Sequence, residues 1–244
     1  MARGRRLDLA LLERGDFATR RQAQAAIMAG EVRIDGRVAA KPSDPVTTES
    51  QISISSKARF VGRGGTKLEG ALEHFEIECE NKVALDIGAS TGGFTDCLLQ
   101  RGARKVFAVD VGHGQMAWKI RQDPRVVSIE RLNARHISRA EIPESIDLCV
   151  IDVSFISLTL ILPKAFPLLT SDGVILALIK PQFELERKEV GRGGVIRDPE
   201  LLEKAQRKIV LFAESIGAKV RGLVPSSITG ADGNQEFFVC LRSR

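Results

Sequence analysis

The chain has 244 residues, 43% hydrophobic and 27% charged, which suffices for one ordinary domain with a small appendage and excludes a disordered chain. Its formal net charge of +5 is uneven: residues 1 to 62 carry 11 Lys+Arg against 7 Asp+Glu, and the remainder 25 against 24, so the basic excess lies in the first quarter and favours an anionic partner there. The four cysteines, at 79, 97, 149 and 240, lack Cys-x-x-Cys or Cys/His spacing, which argues against a zinc site or a disulfide framework and for reduced core thiols.

In chain order, Leu7, Leu9, Leu11 and Leu12 predict a short helix ending near Gly15. Thr19 is a candidate N-cap for a second helix over residues 20 to 29, where Ala23, Ala26 and Ile27 suit close packing and Gly30 ends the helix. Val32-Arg-Ile-Asp-Gly36 reads as a strand running into an Asp-Gly turn, and Gln51-Ile-Ser-Ile-Ser55 alternates with period two. Residues 1 to 56 thus form a miniature α/β module, residues 57 to 62 a linker, and residues 63 to 244 a second domain opening on Gly62-Arg-Gly-Gly65.

In that second domain Leu68, Ala71, Leu72 and Phe75 recur at helical spacing, predicting a helix over 66–76. Strand and helix signals then alternate: strand 82–87, helix 93–101, strand 104–109, helix 115–121, strands 126–129 and 147–152, helix 157–169, strand 173–180, helix 198–216, and strands near 218–224 and 235–242. Such alternation favours a doubly wound, mostly parallel sheet with helices on both faces, a Rossmann-like α/β fold. The apolar stretch from Leu158 to Ile179 is broken by Pro163, Lys164, Pro167 and Asp172, and no apolar run follows the basic N-terminus, so neither a membrane span nor a signal peptide is expected and the cytoplasm is the default location.

The apolar strand Lys82-Val-Ala-Leu-Asp-Ile87 ends at a turn in which Gly88, Gly92 and Gly93 let the backbone approach a ligand. About twenty residues on, Val106-Phe-Ala-Val-Asp110 ends in a carboxylate that can accept ribose hydroxyls. A nicotinamide enzyme shares both features, so they do not fix the cofactor. Asn133 can serve an adenine edge. Asp86, Asp110, Asp152 and Lys180 all fall at carboxyl ends of strands and therefore on one rim. Lys180 follows six apolar residues, and with Asp152 it could form either a structural ion pair or a catalytic one. Lys67 and Glu236 complete a charged set of four. His74, His113 and His136 lack metal spacing, so no metal is expected, although His113 could flank the cofactor. Gly191-Arg-Gly-Gly194 is a candidate lid or a plain surface loop.

Two resemblances follow from these motifs. Arg6-Leu7-Asp8, Arg20-Arg21 and Val32-Arg-Ile-Asp-Gly36 make the first module similar to an S4-type RNA-binding domain, with Arg3, Arg5, Arg6, Arg20, Arg21 and Arg63 as candidate phosphate contacts. With no Tyr and a single Trp118, recognition should rest on shape and phosphate more than on splayed bases. Over nearly its whole length the chain resembles the TlyA family, S4-linked ribosomal RNA methyltransferases of the FtsJ-like class. The segments that carry this are Arg63-Gly-Gly-Thr-Lys67-Leu, Asp86-Ile-Gly-Ala-Ser-Thr-Gly-Gly-Phe-Thr-Asp96, Val109-Asp-Val-Gly-His-Gly-Gln115, Asp152-Val-Ser-Phe-Ile-Ser-Leu158, Ile179-Lys-Pro-Gln-Phe-Glu184, Val190-Gly-Arg-Gly-Gly-Val195 and Gly233-Asn-Gln-Glu236.

The resemblance implies S-adenosylmethionine as donor, held near Asp86, Gly88, Ser90, Gly92, Gly93, Phe94, Asp110 and Asn133. It also implies a Lys-Asp-Lys-Glu tetrad at Lys67, Asp152, Lys180 and Glu236, with Lys180 central, and 2′-O-methylation of cytidine in ribosomal RNA. The competing expectations are a non-catalytic RNA-binding or ribosome-assembly factor, which donor turnover would exclude, and a membrane-active protein, since some family members are labelled hemolysins. The latter calls for an amphipathic exposed segment or a span, for which the sequence offers no physical support.

Overall fold

The computed structural model describes residues 5–17, 19–54, 59–191 and 193–242, so Arg3 and residues 57 and 58 of the linker lie outside the described residues. The chain divides into two compact units, Met1–Arg63 and Gly64–Arg244.

In the first unit, helices Leu7–Glu13 and Arg20–Met28 pack over a three-stranded antiparallel sheet in which Val32–Ile34 lies between Arg37–Val38 and Ile52–Ile54. Arg5–Arg6 pairs with Pro45–Val46 as a separate two-stranded ribbon. The second helix starts where the sequence places it: Thr19 Oγ1 accepts from the Gln22 N–H and Gln22 Oε1 accepts from the Thr19 N–H, a reciprocal capping box. Leu7, Leu11, Ala23, Ala26, Ile27, Val32, Ala39 and Val46 form its core. The short strands at Arg5, Arg37 and Pro45 are too brief to leave a periodic signal, and the sequence reading does not contain them.

The second unit is built on a seven-stranded sheet: β1 Val83–Ile87, β2 Lys105–Val109, β3 Val126–Ile129, β4 Ile146–Ile151, β5 Leu169–Ile179, β6 Lys219–Pro225 and β7 Phe237–Arg242. Their spatial order is β6-β7-β5-β4-β1-β2-β3. β7 pairs antiparallel with both neighbours, and the rest of the sheet is parallel. Every residue of β1 is buried, as a central parallel strand covered on both faces requires. The chain leaves β1 for β2 and β3 on one side, then returns to β4 on the other, so the order reverses beside β1 and a crevice opens at the strand ends there.

Two expected helices come out differently. The stretch 157–169 is three short pieces, a 3-10 turn at Leu158–Leu160, an α turn at Leu162–Ala165 and a second 3-10 turn at Phe166–Leu168, because Pro163 and Pro167 each remove a backbone donor. The helix expected over 115–121 contracts to Trp118–Arg121, preceded by a turn in which Gly114 takes a positive φ. By contrast the long helix Pro199–Ser215 begins at the Asp198 N-cap, whose Oδ1 accepts from the Glu200 N–H, with Pro199 in its first turn. All four cysteines are free and buried; burial pushes the Cys79 thiol up to about 11.

Candidate active site

At the reversal point the first βα turn is shaped by a close approach of two backbones. Gly88 has φ +90, and a Cβ there would sit 2.2 Å from the Asp152 carbonyl oxygen, so only glycine lets the two strand ends come together. Between them opens a cavity of about 940 Å³ whose wall includes Gly88, Ser90, Asp110, Asn133 and Asp152. That volume is ample for a nucleoside-sized ligand.

The Asp110 carboxylate accepts from two backbone N–H groups, Ser90 at 2.8 Å and Gly112 at 2.6 Å, which lock the turns around it. Asn133, on the cavity wall, caps the 3-10 turn Ala134–His136, its Oδ1 accepting from the Arg135 N–H. Asp86 is fully buried beneath the turn; its Oδ2 accepts from Thr95 Oγ1 at 2.6 Å while its Oδ1 is a buried acceptor with no donor among the described residues. Burial pushes this carboxyl up to about 7 against the pull of the Thr95 hydroxyl, with the Asp152 and Asp110 charges adding to the rise.

Of the other residues expected near a cofactor, Gly92 is the left-handed residue ahead of the helix Gly93–Gln100, and Gly93 is buried in it. Phe94 does not reach the cavity wall: it is buried, with its ring 6.0 Å from that of Phe238.

The four charged residues resolve into two ion pairs. Lys180 Nζ lies 2.6 Å from Asp152 Oδ1 and donates to Ser154 Oγ at 2.9 Å. Lys67 Nζ lies 2.5 Å from Glu236 Oε2, both side chains buried. The sheet register relates the two pairs. Ile179 of β5 pairs with Phe237 of β7, so continuing the antiparallel ladder by one step sets Lys180 opposite Glu236. Because β7 runs against the sheet, Glu236 reaches the rim from a strand's beginning, whereas Asp152 and Lys180 reach it from strand ends.

Three features of this rim were not legible in the sequence. Phe155, four residues past β4, is 91% exposed at the cavity mouth, has a left-handed φ of +62, and its ring stands 4.9 Å from that of Phe183. A phenylalanine beside an apolar strand reads as core, and nothing in the pattern marks it as exposed. Ser154, the hydroxyl partner of Lys180, carries no periodic signal. Asn234 is fully buried and bridges two segments, donating to the Gly194 carbonyl and accepting from the Ile196 N–H, both at 2.8 Å, so it ties the glycine loop to the approach of Glu236. The spacing Gly233-Asn-Gln-Glu236 could have suggested it.

In the first unit Arg6 and Arg20 both bond to buried Asp8, and Arg5 pairs with Glu13. Arg21 and Arg63 are exposed. Among the described residues no helix is long and apolar enough to cross a membrane, and no group of three or more His, Cys, Asp or Glu could hold a metal ion.

The sequence profile of FtsJ-like methyltransferases matches residues 60–243, and that of the S4 domain residues 5–52. The chain is 45% identical over 246 residues to the 16S/23S rRNA (cytidine-2'-O)-methyltransferase TlyA of Mycobacterium tuberculosis, a match covering 100% of this chain and 92% of that protein. It is 43% identical over 233 residues to Hemolysin A of Brachyspira hyodysenteriae, covering 95% and 97% of the two. A solved structure from Streptococcus thermophilus, described as a hemolysin, matches with a TM-score of 0.77 at 41% identity, over 100% of this chain and 90% of that one.

Proposed function

The chain belongs to the TlyA family of FtsJ-like methyltransferases that carry an S4 domain, and on that premise we propose that it transfers a methyl group from S-adenosylmethionine to the 2′-hydroxyl of cytidine in ribosomal RNA. The observation that carries the reading is the Lys180–Asp152 ion pair, whose aspartate lines a nucleoside-sized cavity, with the register of β5 and β7 setting Lys180 opposite Glu236 of the buried Lys67–Glu236 pair.

The residues present fit the donor. The Gly88 turn admits a ligand close to backbone, the Asp110 carboxylate suits ribose hydroxyls, and the buried Asp86 places an unsatisfied acceptor beneath a site for a cation. When bound, S-adenosylmethionine supplies an electrophilic methyl on a positively charged sulfur.

A ribose hydroxyl is a weak nucleophile, so the protein must position it and accept its proton. Lys180 is the group assigned to the target oxygen. As the oxygen–methyl bond formed, the sulfur–methyl bond of the donor would break to leave a neutral thioether, and the hydroxyl proton would pass to Lys180 Nζ in place of one that the lysine gives up to solvent, so that proton and charge balance. Asp152 and Ser154 hold that nitrogen in place, and the Asp152 charge favours a cationic donor. Glu236 holds Lys67, whose positive charge can steady the developing oxyanion. Phe155, held out at the cavity mouth, offers a ring face on which a target base can stack.

The test is transfer of labelled methyl from S-adenosylmethionine to isolated small and large ribosomal subunits, with nucleoside mass spectrometry and the Lys180→Ala protein in parallel. The expected result is 2′-O-methylcytidine that depends on Lys180. Label in no RNA would return the chain to the non-catalytic binding-factor reading, and undiminished transfer by Lys180→Ala would remove Lys180 from the chemistry.

A further inference from the structure

In the first unit one carboxylate organises three side chains, Arg6 at the N-cap of its own helix and Arg20 and Gln24 of the next helix. Asp8, in the first turn of Leu7–Glu13, is fully buried. Its Oδ1 accepts from Arg6 Nε at 3.0 Å, and its Oδ2 accepts from Arg6 Nη2 at 3.0 Å, from Arg20 Nε at 2.9 Å and from Gln24 Nε2 at 2.8 Å. These hydrogen bonds, that of Arg6 foremost, hold the Asp8 carboxyl well below the usual carboxylate range, so it remains charged at neutral pH.

Both arginines remain about half exposed, with side-chain exposures of 43% and 48%. Arg20 spends only its Nε–H on Asp8, and Arg6 spends Nε and one Nη2 hydrogen, so terminal N–H groups of both forks project from a shared anchor. Arg20 is also the first residue of its helix, where backbone N–H groups favour an anion. If stability alone were at stake, an arginine pair could satisfy itself in water. Here a charge buried at a structural cost instead fixes two guanidinium groups whose outward ends have no other protein partner among the described residues.

We propose that Asp8 is a positioning residue of the RNA-binding face: it sets the Arg6 and Arg20 guanidinium groups side by side as a preformed clamp for RNA phosphate, so that removing its negative charge weakens RNA binding. The inference rests on the ribosomal RNA reading above. It runs against simple electrostatics, by which deleting an anion from a basic face should tighten the hold on a polyanion. Preorganisation predicts the opposite sign, because unanchored arginines must pay side-chain entropy to form bidentate phosphate contacts.

The experiment measures binding of the two-domain chain to isolated ribosomal subunits across a KCl series, for wild type, Asp8→Asn, Arg20→Lys, the Arg6→Ala/Arg20→Ala double variant and the same double variant carrying Asp8→Asn, with a melting curve for each. Arg20→Lys preserves both charge and an exposed position, so it reports on the fork should Asp8→Asn fold poorly. The expected result is roughly tenfold weaker binding for Asp8→Asn and for Arg20→Lys, a shallower salt slope for Asp8→Asn, and little additional loss when Asp8→Asn is added to the double variant. Methyl transfer at saturating subunits should keep the wild-type kcat, the loss falling on KM.

Equal or tighter binding by folded Asp8→Asn would overturn the proposal, as would wild-type binding by Arg20→Lys. If the Arg6→Ala/Arg20→Ala protein binds subunits like wild type, the arginines are not RNA contacts and the proposal falls while the methyltransferase reading stands. If wild type itself neither binds nor methylates subunits, it is the underlying reading that has failed.

Discussion

Lys67 and Glu236 stand 169 residues apart in the chain and 2.5 Å apart at their charged atoms, with side-chain exposures of 10% and 3%. Two charges taken out of water are tolerable only together. Glu236→Leu should therefore cost about 3–5 kcal/mol by stranding the lysine charge, while Lys67→Met/Glu236→Leu should cost less than either Glu236→Leu or Lys67→Met alone. Urea unfolding of the four proteins checks this; a double variant as unstable as the sum of its singles would show the pair to be uncoupled.

Asp86 gives stability a defined pH dependence. Its folded carboxyl is pushed up to about 7 from 3.8, so between those values the native protein keeps a proton that the unfolded chain has released. The native state binds more protons there, and stability therefore falls as pH rises from about 4 to about 7 and is level above. Relative to Asp86→Asn, which cannot titrate, wild type should lose at most about 4 kcal/mol across that window. Melting curves at pH 5 and pH 8 provide the comparison, and a difference between the two proteins that does not change with pH would contradict it.

Gly88 tests the donor turn without touching a charge. Gly88→Ala must accommodate both a left-handed φ and a methyl group 2.2 Å from the Asp152 carbonyl oxygen, so β1 and β4 have to separate at the rim. We expect a stability loss of about 2 kcal/mol or more and a larger loss in donor affinity by calorimetry. Donor binding at wild-type strength would show that the close approach is not part of the site.

Phe155 separates stability from function in the other direction. At 91% exposure its ring contributes little to folding, and its φ of +62 is one that glycine adopts without strain. Phe155→Gly is expected to leave the melting temperature unchanged or raise it, with donor affinity intact, while kcat/KM toward ribosomal subunits falls by roughly tenfold or more from the lost stacking. Unchanged kcat/KM would assign the target base to another surface.

Much of this architecture is legible in the residues because parallel strands announce themselves. The mostly apolar runs Val83–Ile87 and Ile146–Ile151, each ending in or beside an aspartate, place the rim with only the crevice rule in hand. What escapes is whatever depends on the third dimension. Pro163 and Pro167 break a stretch whose apolar content mimics a helix, Phe94 turns inward although its motif suggests a ligand contact, and Phe155 turns outward although its neighbours suggest core. The sequence already offers Lys180 and Asp152 as a pair from their neighbouring strand ends, whereas the partnership of Lys67 with Glu236 rests on the antiparallel β7, whose direction no periodicity reveals.

The antiparallel placement of β7 also sets a schedule. This strand fills an interior position between β5 and β6, and it delivers Glu236 to a lysine synthesised 169 residues earlier. While translation has yet to release residues 236 to 242, nothing joins β6 to β5 and the Lys67 ammonium lacks its Glu236 counter-ion. A nascent chain is therefore unable to assemble its rim until this strand has emerged and inserted between its two neighbours.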